Sequence, residues 1–569
     1  MTYLSWEEFN KYLRIAQESP YLVLDTEGTL NHPFSSTWGV STSTGLQGDY
    51  FAFNHRLGDN LPSEWLPLLV DVTQNHPCLV MHHAKHDLRA LRNLGVQPEK
   101  VKKFYCTMLM AHMIDENLYS KELDPLSRHY GGEPKRNSEL QDGIVKAFGW
   151  DYIPVDIIRP YGANDAFITE ELFSKLLPEF QVQDFDGELW DIEQEFCHFL
   201  MEMEDNGILI DTKFCEQEYE RGTKIMAEIR NELGFNPGSP DQLGNFLLNE
   251  LKLPPVGKRS SKTDKWSFNK ENMKIYEELL ERNNDHRAKL IMAYRGWSKA
   301  TGSNYGPYLE KISHDGRFRT NFKQHGTKTG RLSASILHQI PKSSQKDWNG
   351  KLKQAFIPRE GYRLWEFDFS QLEFRLKAAY ANEKSLIEIF NDPTRDLFDE
   401  MAAELGMGRG PTKTLNYAIS YGAGYEKIAN TFGVSIPAGK AIKDNYYNKY
   451  PGFLKFTKLA EMRAKENGFI RLWTGRRRHF QFSSEHHKAD NAAIQGGAFE
   501  IVKRQTLAVK RAGLVTDECI PNLQVHDSLV FEIEEGKEKE YLPEIKRTME
   551  DVQPDFGVKF KVDVNEWGK

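Results

Sequence analysis

Four acidic residues in the first third of the chain have the types and spacing that suit divalent metal ions. Asp25 and Glu27 stand two positions apart at the end of the apolar run YLVL, so a strand there would point both carboxylates to one face. Asp87 follows a second apolar run, and Asp165 comes one helical turn after Tyr161. Carboxylate oxygens are the ligands of hard divalent cations, and two such ions could activate a water against a phosphodiester. A single Asp is usually a solvated surface residue, so only the complete set predicts a metal site.

Two segments further along the chain carry a second set of acids. In RLWEFDFSQLEFR, a strand bearing Asp368 is expected to turn into a helix bearing Glu373. LQVHDSLVFEI is apolar and hairpin-like apart from His526 and Asp527, whose burial would be costly without partners. Two acids in strand-like segments could form a second two-metal site.

The segment RGPTKTLNYAISYG predicts a helix with a row of functional side chains. Four residues recur at every fourth position and fall along one stripe: Arg409, Lys413, Tyr417 and Tyr421. Arg and Lys one turn apart suit a triphosphate, and aromatic rings further along offer a base a stacking surface. The alternative is a solvated amphipathic face, which is common for helices with this pattern.

The hydrophobic pattern outlines the elements that must position these residues. Residues 19–90 are α/β in character, and 180–191 form an acidic junction that contains Gly. Helical spacing follows from 191 to 300, strand character appears in FRTNF, RLWEFDFS and NLQVHDSLVFEI, and 382–510 is largely helical. The simplest division is therefore an α/β unit followed by a larger unit of several parts.

Composition and charge narrow the class of protein. The 569 residues are 39% hydrophobic and 27% charged, and no apolar run approaches the ~18 residues that a membrane span needs. The first twenty residues lack the apolar segment of a signal peptide. Five scattered cysteines disfavour a disulfide framework or a zinc site and favour a reducing compartment. The net charge of −8 argues weakly against a nucleic-acid partner, although segregated basic and acidic surfaces can sum to a negative total.

The N-terminal acids resemble the motifs of the DEDDy 3′–5′ proofreading exonucleases. The match covers the four metal-binding acids and the tyrosine of the YxxxD motif: Asp25, Glu27, Asp87, Asp165 and Tyr161. By resemblance, the phenol helps to position the attacking water. The family usually has Asn four positions before the third acid, where this chain has His83, a residue whose charge varies near neutral pH.

The C-terminal segments resemble motifs A, B and C of the family A DNA polymerases. DFSQLEFR stands where that family has DYSQIELR, RGPTKTLNYAISYG where it has RRxxKxxNFGxxYG, and QVHDS where it has xVHDE. The flanking segments TKTGRLS, FNPGSPDQL, GFIRLWTGRRRHF and NAAIQGGAFEIVK are similar to further family blocks in the same order. The resemblance spans nearly the whole chain.

This resemblance implies an α/β exonuclease domain with an RNase H-like mixed sheet, followed by an α+β right-hand polymerase domain. The expected exonuclease domain is 1–188 and the expected polymerase domain is 189–569. The thumb, palm and fingers are expected in the family order: thumb about 189–320, palm about 321–385 and 505–569, fingers about 386–504.

The resemblance also implies roles at a polymerase site. Asp368 and Asp527 would hold two Mg²⁺ ions, as the N-terminal acids would at the exonuclease site. Mn²⁺ is possible too, because carboxylate ligands favour these metals over softer ions. Arg409 and Lys413 would grip the triphosphate, and Glu373 would exclude a ribose 2′-hydroxyl.

Further side chains are expected to contact the nucleotide or the DNA. Tyr417 and Tyr421 would lie against the nucleotide, and His526 near the primer terminus. The expected DNA contacts come from basic and amide side chains of the matching segments: Arg331, Gln495, Arg476, Arg478 and Lys262. The first two would reach minor-groove acceptors, and the arginine run would meet the template or primer backbone. Lys262 belongs to a basic insert that suits a thumb tip, although a solvated loop is the alternative.

Two departures from the family pattern stand out. Many members have Phe where this chain has Tyr417, and Tyr is typical of some phage-type members with weak discrimination against dideoxynucleotides. Ser528 stands where the third motif usually ends in Glu. Glu532 points to the same side of the strand, but four residues span ~13 Å, too far for easy replacement.

The sequence thus predicts a DNA polymerase with proofreading, of phage type, acting on primer–template DNA and dNTPs in the cytoplasm, that of a bacterial host if phage-encoded. No membrane and no processivity factor are implied. One alternative is an exonuclease whose polymerase half mainly binds DNA, which intact Asp368, Lys413 and Asp527 disfavour. Another is a single-subunit RNA polymerase, which Glu373 and the exonuclease motifs disfavour.

Overall fold

A computed structural model describes most of the chain. The described residues are 5–29, 33, 36–43, 48–135, 139–257, 259, 264–337, 340, 351–420 and 422–568. Tyr421 and Lys262 lie outside the described residues, so the roles expected for them stay predictions.

The N-terminal elements form an α/β unit. In chain order they are α1 (Trp6–Glu18), β1 (Leu22–Gly28), β2 (Thr37–Ser43), β3 (Gly48–Ala52), α2 (Leu66–Asn75), β4 (Leu79–Met81), α3 (Ala84–Leu94), β5 (Phe104–Cys106), α4 (Thr107–Ile114), α5 (Leu123–His129), α6 (Glu139–Phe148) and α7 (Val155–Val182). The sheet has the order β3-β2-β1-β4-β5. Its first three strands pair antiparallel, whereas β4 and β5 run parallel to β1 and to each other. This is the mixed sheet that the family resemblance implies.

Local chemistry explains most of these elements. The run YLVL becomes β1, and the strand-to-helix stretch near residue 80 becomes β4 and α3, which ends at Gly95 with φ 112°. The polar sequence TWGVSTS gave no strand signal, yet it forms β2 between β1 and β3. Thr37 donates to the Ala90 carbonyl at 2.9 Å, so part of this polar strand is satisfied by side-chain hydrogen bonds.

The second half of the chain is larger and mostly helical. Its elements begin with α8 (Glu188–Asn206), β6 (Ile208–Ile210), α9 (Thr212–Leu233), α10 (Pro240–Gly244), α11 (Lys270–Arg282), α12 (Arg287–Ala300), α13 (Gly306–Glu310), β7 (Arg317–Phe318), β8 (Phe322–Lys323), β9 (Ser333–Ala334) and β10 (Phe356–Ile357). They continue with β11 (Tyr362–Ser370), α14 (Leu372–Ala381), α15 (Lys384–Asn391), α16 (Leu397–Leu405), α17 (Arg409–Ser420), α18 (Tyr425–Phe432), α19 (Ile436–Lys449) and α20 (Pro451–Asn467). The chain then forms β12 (Phe469–Arg471), β13 (Arg477–His479), α21 (Ala489–Arg511), β14 (Cys519–Val525), β15 (Ser528–Glu534), α22 (Glu538–Glu550) and β16 (Lys561–Glu566).

The central sheet of this half has the order β14-β15-β11-β16, with each neighbouring pair antiparallel. Helices α8 and α22 pack beside it, and one large hydrophobic core joins the sheet to α14, α21 and the other helices that follow β11. Because one face of the sheet is covered by helices, the residues at its hairpin turn and strand ends are positioned rigidly.

Helix α8 belongs to two cores at once. Leu189, Trp190 and Cys197 pack in the core of the N-terminal unit, while Phe196 and Phe199 pack in the larger core. The boundary expected between 188 and 189 therefore falls at a helix that both units share, and it stays a prediction. Among the described residues, no helix is both long and apolar enough to cross a membrane.

Candidate active sites

Three N-terminal acids come together at the end of β1. One carboxylate oxygen each from Asp25, Glu27 and Asp165 lies within 4.8 Å of the others. Glu27 and Asp165 are buried, and Asp25 is partly exposed. Asp87 lies outside this group of three, where its Oδ1 accepts a hydrogen bond from Thr26 at 2.7 Å. The four acids predicted from the sequence thus form a group of three with the fourth beside it.

Burial shapes the charge of this acid cluster. It raises the pKa of Asp25 and Asp165, and it raises the pKa of Glu27 to about 8, with further raising by Asp165. In the part of the chain that the structure describes, Asp87 Oδ2 and Asp165 Oδ1 are buried without a hydrogen-bond partner. Buried carboxylates with unused oxygens and raised pKa values fit a divalent cation, whose charge favours their ionised form.

Tyr161 and a residue missed by the sequence analysis complete this site. The Lys135 ammonium donates to the Tyr161 hydroxyl at 2.8 Å, and its Nζ lies 2.6 Å from Asp165 Oδ2. Burial alone would lower the pKa of Lys135, but Asp165 and Tyr161 reverse this and raise it. His83 behaves differently, because burial lowers its pKa well below the usual value and keeps it neutral where a variable charge was expected.

The second site forms where β11 meets the hairpin of β14 and β15. These two strands are joined by a two-residue turn, His526–Asp527. The φ of His526 is 56°, the left-handed conformation that tight hairpin turns use. Asp368 is paired with Ser528, and the Phe369 amide donates to the Asp527 carbonyl at 3.4 Å. The structure therefore brings Asp368 and Asp527 side by side, and this pair of carboxylates suits hard divalent cations.

A cavity of about 390 Å³ opens at this hairpin and is lined by Asp527 and by Phe369, the residue after Asp368. Its lining includes the predicted metal ligand Asp527 and four side chains expected to contact the nucleotide or DNA: Arg331, Glu373, Tyr417 and His526. Arg331 forms an ion pair with Glu373, and its Nη2 lies 3.6 Å from Asp527 Oδ1. Gln495 lies on α21 next to Ile494, which lines the cavity, and its side chain is partly exposed.

On helix α17, the described residues of the predicted functional stripe share one face. Arg409, Lys413 and Tyr417 are exposed. The opposite face is buried and comprises Thr412, Leu415, Asn416 and Ile419. Tyr417 reaches the cavity, and the two basic residues lie one and two turns earlier. Arg409 Nη2 bonds to Asp396 at 3.0 Å, and its Nε lies 3.0 Å from Asp399.

Two family models match the chain. A model described as 3′-5′ exonuclease matches residues 4–181, and a model described as DNA polymerase family A matches residues 212–569. The chain belongs to DNA polymerase family A. The resemblance in the motifs and the predicted fold class are thereby confirmed.

Individual relatives agree with this family. The chain is 29% identical to DNA polymerase I of Pseudomonas aeruginosa, over 93% of this chain and 61% of that protein. It thus spans about three fifths of the length of that relative. It is 28% identical to DNA polymerase DpoZ of Acinetobacter phage SH-Ab 15497, over 85% of this chain and 86% of that protein. The POL domain of Pol1 from M. smegmatis, solved in complex with DNA primer-template and dNTP, shares the fold with a TM-score of 0.84 at 23% identity, covering 100% of this chain and 98% of that one.

Ser528, where family A usually has Glu, contacts a carboxylate from another strand. Its Oγ donates to Glu366 Oε1 at 3.0 Å. Glu366 lies two positions before Asp368 on β11, so period-two spacing places both on one face. Glu532, the nearer candidate in the sequence, is buried and bonds to Arg359 at 2.7 Å. Sequence reasoning missed Glu366, although the spacing was a signal that could have found it.

Arg476 and Arg478 do not lie on the exposed basic surface that was expected from the sequence. Arg476 is buried, forms an ion pair with Glu193, and donates to Glu500 at 2.8 Å. Arg478 is buried too and donates to Glu116 at 2.7 Å. Their guanidinium groups neutralise carboxylates inside the protein, which argues against the predicted contact of Arg476 and Arg478 with the template or primer backbone.

Proposed function

We propose that this protein is a template-directed DNA polymerase that adds dNTPs to a primer 3′-hydroxyl and proofreads with its own 3′–5′ exonuclease. The observation that carries the proposal is the pairing of Asp368 with the Asp527 hairpin beside the cavity of about 390 Å³. A carboxylate that lines a nucleotide-sized cavity, with a second on the adjoining strand, suits phosphoryl transfer, which depends on positioning and charge neutralisation.

The polymerase site would use two Mg²⁺ ions held by Asp368 and Asp527, and the exonuclease site two held by its acids, with Mn²⁺ as a substitute. When bound, these ions lower the pKa of the attacking hydroxyl or water and neutralise the leaving oxygen. Lys413 and Arg409 bind the triphosphate, and Arg409 must first leave the carboxylates of Asp396 and Asp399. Glu373 excludes a ribose 2′-hydroxyl through steric and desolvation cost.

At the exonuclease site, Asp25, Glu27 and Asp165 would hold the cations, with Asp87 beside them. Tyr161 orients the attacking water through its hydroxyl, which already has a fixed donor in Lys135. The neutral His83 can donate one hydrogen bond to substrate without adding charge.

The partners follow from this reaction. The substrates are primer–template DNA and dNTPs, and 1–188 and 189–569 are the exonuclease and polymerase domains, the latter with the thumb, palm and fingers of the family. We infer a role in phage DNA replication from Tyr417 and the exonuclease–polymerase layout, with the host cytoplasm as the compartment.

A primer-extension assay on the whole protein tests the proposal. Asp368→Ala and Asp527→Ala should each lower dNTP addition by more than about a hundredfold, because even groups that only orient a metal ligand are worth 10- to 100-fold. Both variants should still shorten a single-stranded 3′ end. Glu27→Ala should show the reverse, so each variant controls for the folding of the other.

The same assay separates the alternatives. Degradation without dNTP addition by the unmodified protein would support an exonuclease whose polymerase half only binds DNA. RNA synthesis from rNTPs without a primer would support an RNA polymerase. Undiminished extension by the Asp368 and Asp527 variants would refute the site assignment.

A further inference from the structure

Lys135 lies in the segment that follows α5, far in sequence from every exonuclease motif. Its backbone amide donates to Asp124 Oδ1 at 2.8 Å, and Asp124 in turn accepts from Arg128 at 2.9 Å. The segment is therefore anchored to α5 at this residue. From this anchor the side chain reaches Tyr161 and Asp165, which both belong to α7.

The two contacts use the ammonium in a specific way. An ammonium only donates, so the Tyr161 oxygen must accept from Lys135, and the phenolic hydrogen is left to point elsewhere. The ammonium also lies 4.8 Å from the centre of the Tyr161 ring, which restricts the ring itself. Lys135 thus constrains both the plane of the ring and the direction of its O–H bond.

Asp165 anchors this lysine without losing its place in the acid cluster. Its Oδ2 is the oxygen near Lys135, whereas its Oδ1 is buried with no hydrogen-bond partner among the described residues. One oxygen can therefore serve the lysine while the other remains available to the cluster. A hydrogen-bonding partner outside the cluster holds a metal-binding carboxylate in a fixed orientation, which a carboxylate without such a partner lacks.

We propose that Lys135 is a positioning residue of the exonuclease reaction, which holds the Tyr161 phenol in place from its anchor on Asp165. The proposal rests on the exonuclease activity proposed above. It goes beyond the motif residues, because Lys135 acts on the reaction through Tyr161.

Steady-state cleavage of a single-stranded oligonucleotide in Mg²⁺ tests this role. Lys135→Met should lower kcat by about 10- to 100-fold and change KM by less than about threefold, because the phenol is misplaced but the DNA-binding surface is intact. Lys135→Arg, which still donates to both acceptors, should recover most of kcat. Lys175→Met is the matched control: Lys175 is 30% exposed and pairs with Glu171 on α7, compared with 31% for Lys135, and this variant should cleave normally.

A double-mutant cycle tests whether Lys135 acts through Tyr161. In a Tyr161→Phe background, Lys135→Met should lower kcat by less than about threefold further, because the acceptor is already gone. Losses that multiply would overturn the proposal. A raised KM with unchanged kcat would overturn it too, since Lys135 would then be a plain phosphate contact.

A crystal structure of the metal-free Lys135→Met variant gives a readout independent of activity. The Tyr161 ring should leave its position, and Lys135→Arg should restore it; an unmoved ring would refute the proposal. Primer extension by each variant reports on folding. If the unmodified protein extends primers but never shortens a 3′ end, the proposed exonuclease fails, and this outcome differs from unequal cleavage by the Lys135 variants.

Discussion

Tyr417 stands on the exposed face of α17 and lines the polymerase cavity, with 47% of its surface exposed. The motif resemblance implies that its hydroxyl would replace the missing sugar 3′-hydroxyl of a dideoxynucleotide in bonding to phosphate. A hydrogen bond to a charged group is worth about 1.5–3 kcal/mol. Tyr417→Phe should therefore raise discrimination against dideoxynucleotides by about 10- to 100-fold. The measurement is the ratio of kcat/KM for dTTP and ddTTP.

Tyr425 provides the matched control for this substitution. It is 46% exposed and begins α18, the next helix. Tyr425→Phe should leave the ratio unchanged. Equal ratios for Tyr417→Phe and the unmodified protein would show that the hydroxyl plays no part in sugar selection.

Single residues were predictable from the sequence where their chemistry is unusual for their position. Asp25 and Glu27 at a strand end, and Asp527 within an apolar hairpin, would be costly to bury without a function, and the structure places them at cavities or clusters. Lys135 could not be found in this way, because a lysine in a polar segment is ordinary. Its role depends on a contact with Tyr161, 26 residues away, that only the fold creates.

At the scale of elements, the arginine run shows that a run of charged residues in the sequence does not reveal which side chains are exposed. Arg476 and Arg478 share one face of the β12–β13 hairpin and are buried, while Arg477 between them lies with its guanidinium 4.6 Å from the Phe469 ring. Three consecutive arginines indicate a basic surface only if all face solvent. Because a strand alternates its faces, at most every second one could do so here.

The Arg476 network makes a prediction that separates a structural role from DNA binding. Arg476 on the hairpin pairs with Glu193 of α8 and Glu500 of α21, and Lys503 contacts the same two carboxylates. Arg476→Met should lower the free energy of unfolding by about 3–5 kcal/mol, because buried carboxylates lose a partner. Denaturant titration measures this loss.

Arg477→Met is the control on the same strand and should cost about 0.5–1 kcal/mol, the value of an exposed cation–π contact. The salt dependence of DNA binding should be the same for Arg476→Met and the unmodified protein, since no phosphate contact is removed. A shallower salt slope with unchanged stability would restore the role first expected from the sequence.

The β2 strand shows the limit of pattern reading at this scale. Ser, Thr and Gly dominate TWGVSTS, and such residues are typical of loops. The strand exists because α7 covers the sheet and because side-chain hydrogen bonds satisfy some of its polar groups, as between Ser43 and Glu170. These partners lie far away in sequence, so local propensity predicted β1, β3 and β4 but not the strand between them.

At the scale of the whole molecule, buried charges join the exonuclease unit to the polymerase unit. Glu204 of α8 forms an ion pair with Lys85 and bonds to Arg89 at 2.5 Å, and both cations belong to α3. Glu204 also accepts from the Phe322 amide at 2.6 Å, in β8 of the polymerase half. One carboxylate therefore links three elements from both halves of the chain, which the sequence did not indicate.

Glu204→Ala should loosen α3 (Ala84–Leu94) selectively, because Lys85 would be left buried beside Arg89 without its carboxylate. Removing one partner of a buried ion pair costs about 3–5 kcal/mol, so amide hydrogen exchange in α3 should accelerate by about a hundredfold or more. In helix α1 (Trp6–Glu18), which belongs to the same unit but lies away from Glu204, the exchange rate should change much less.

Glu202→Ala is the matched control on α8. It breaks a half-exposed pair with Lys510 at 2.6 Å, and it should lower the free energy of unfolding by about 1 kcal/mol at most. Equal acceleration in α1 and α3, or equal effects of the two variants, would mean that Glu204 stabilises the fold generally and does not tie the two units together.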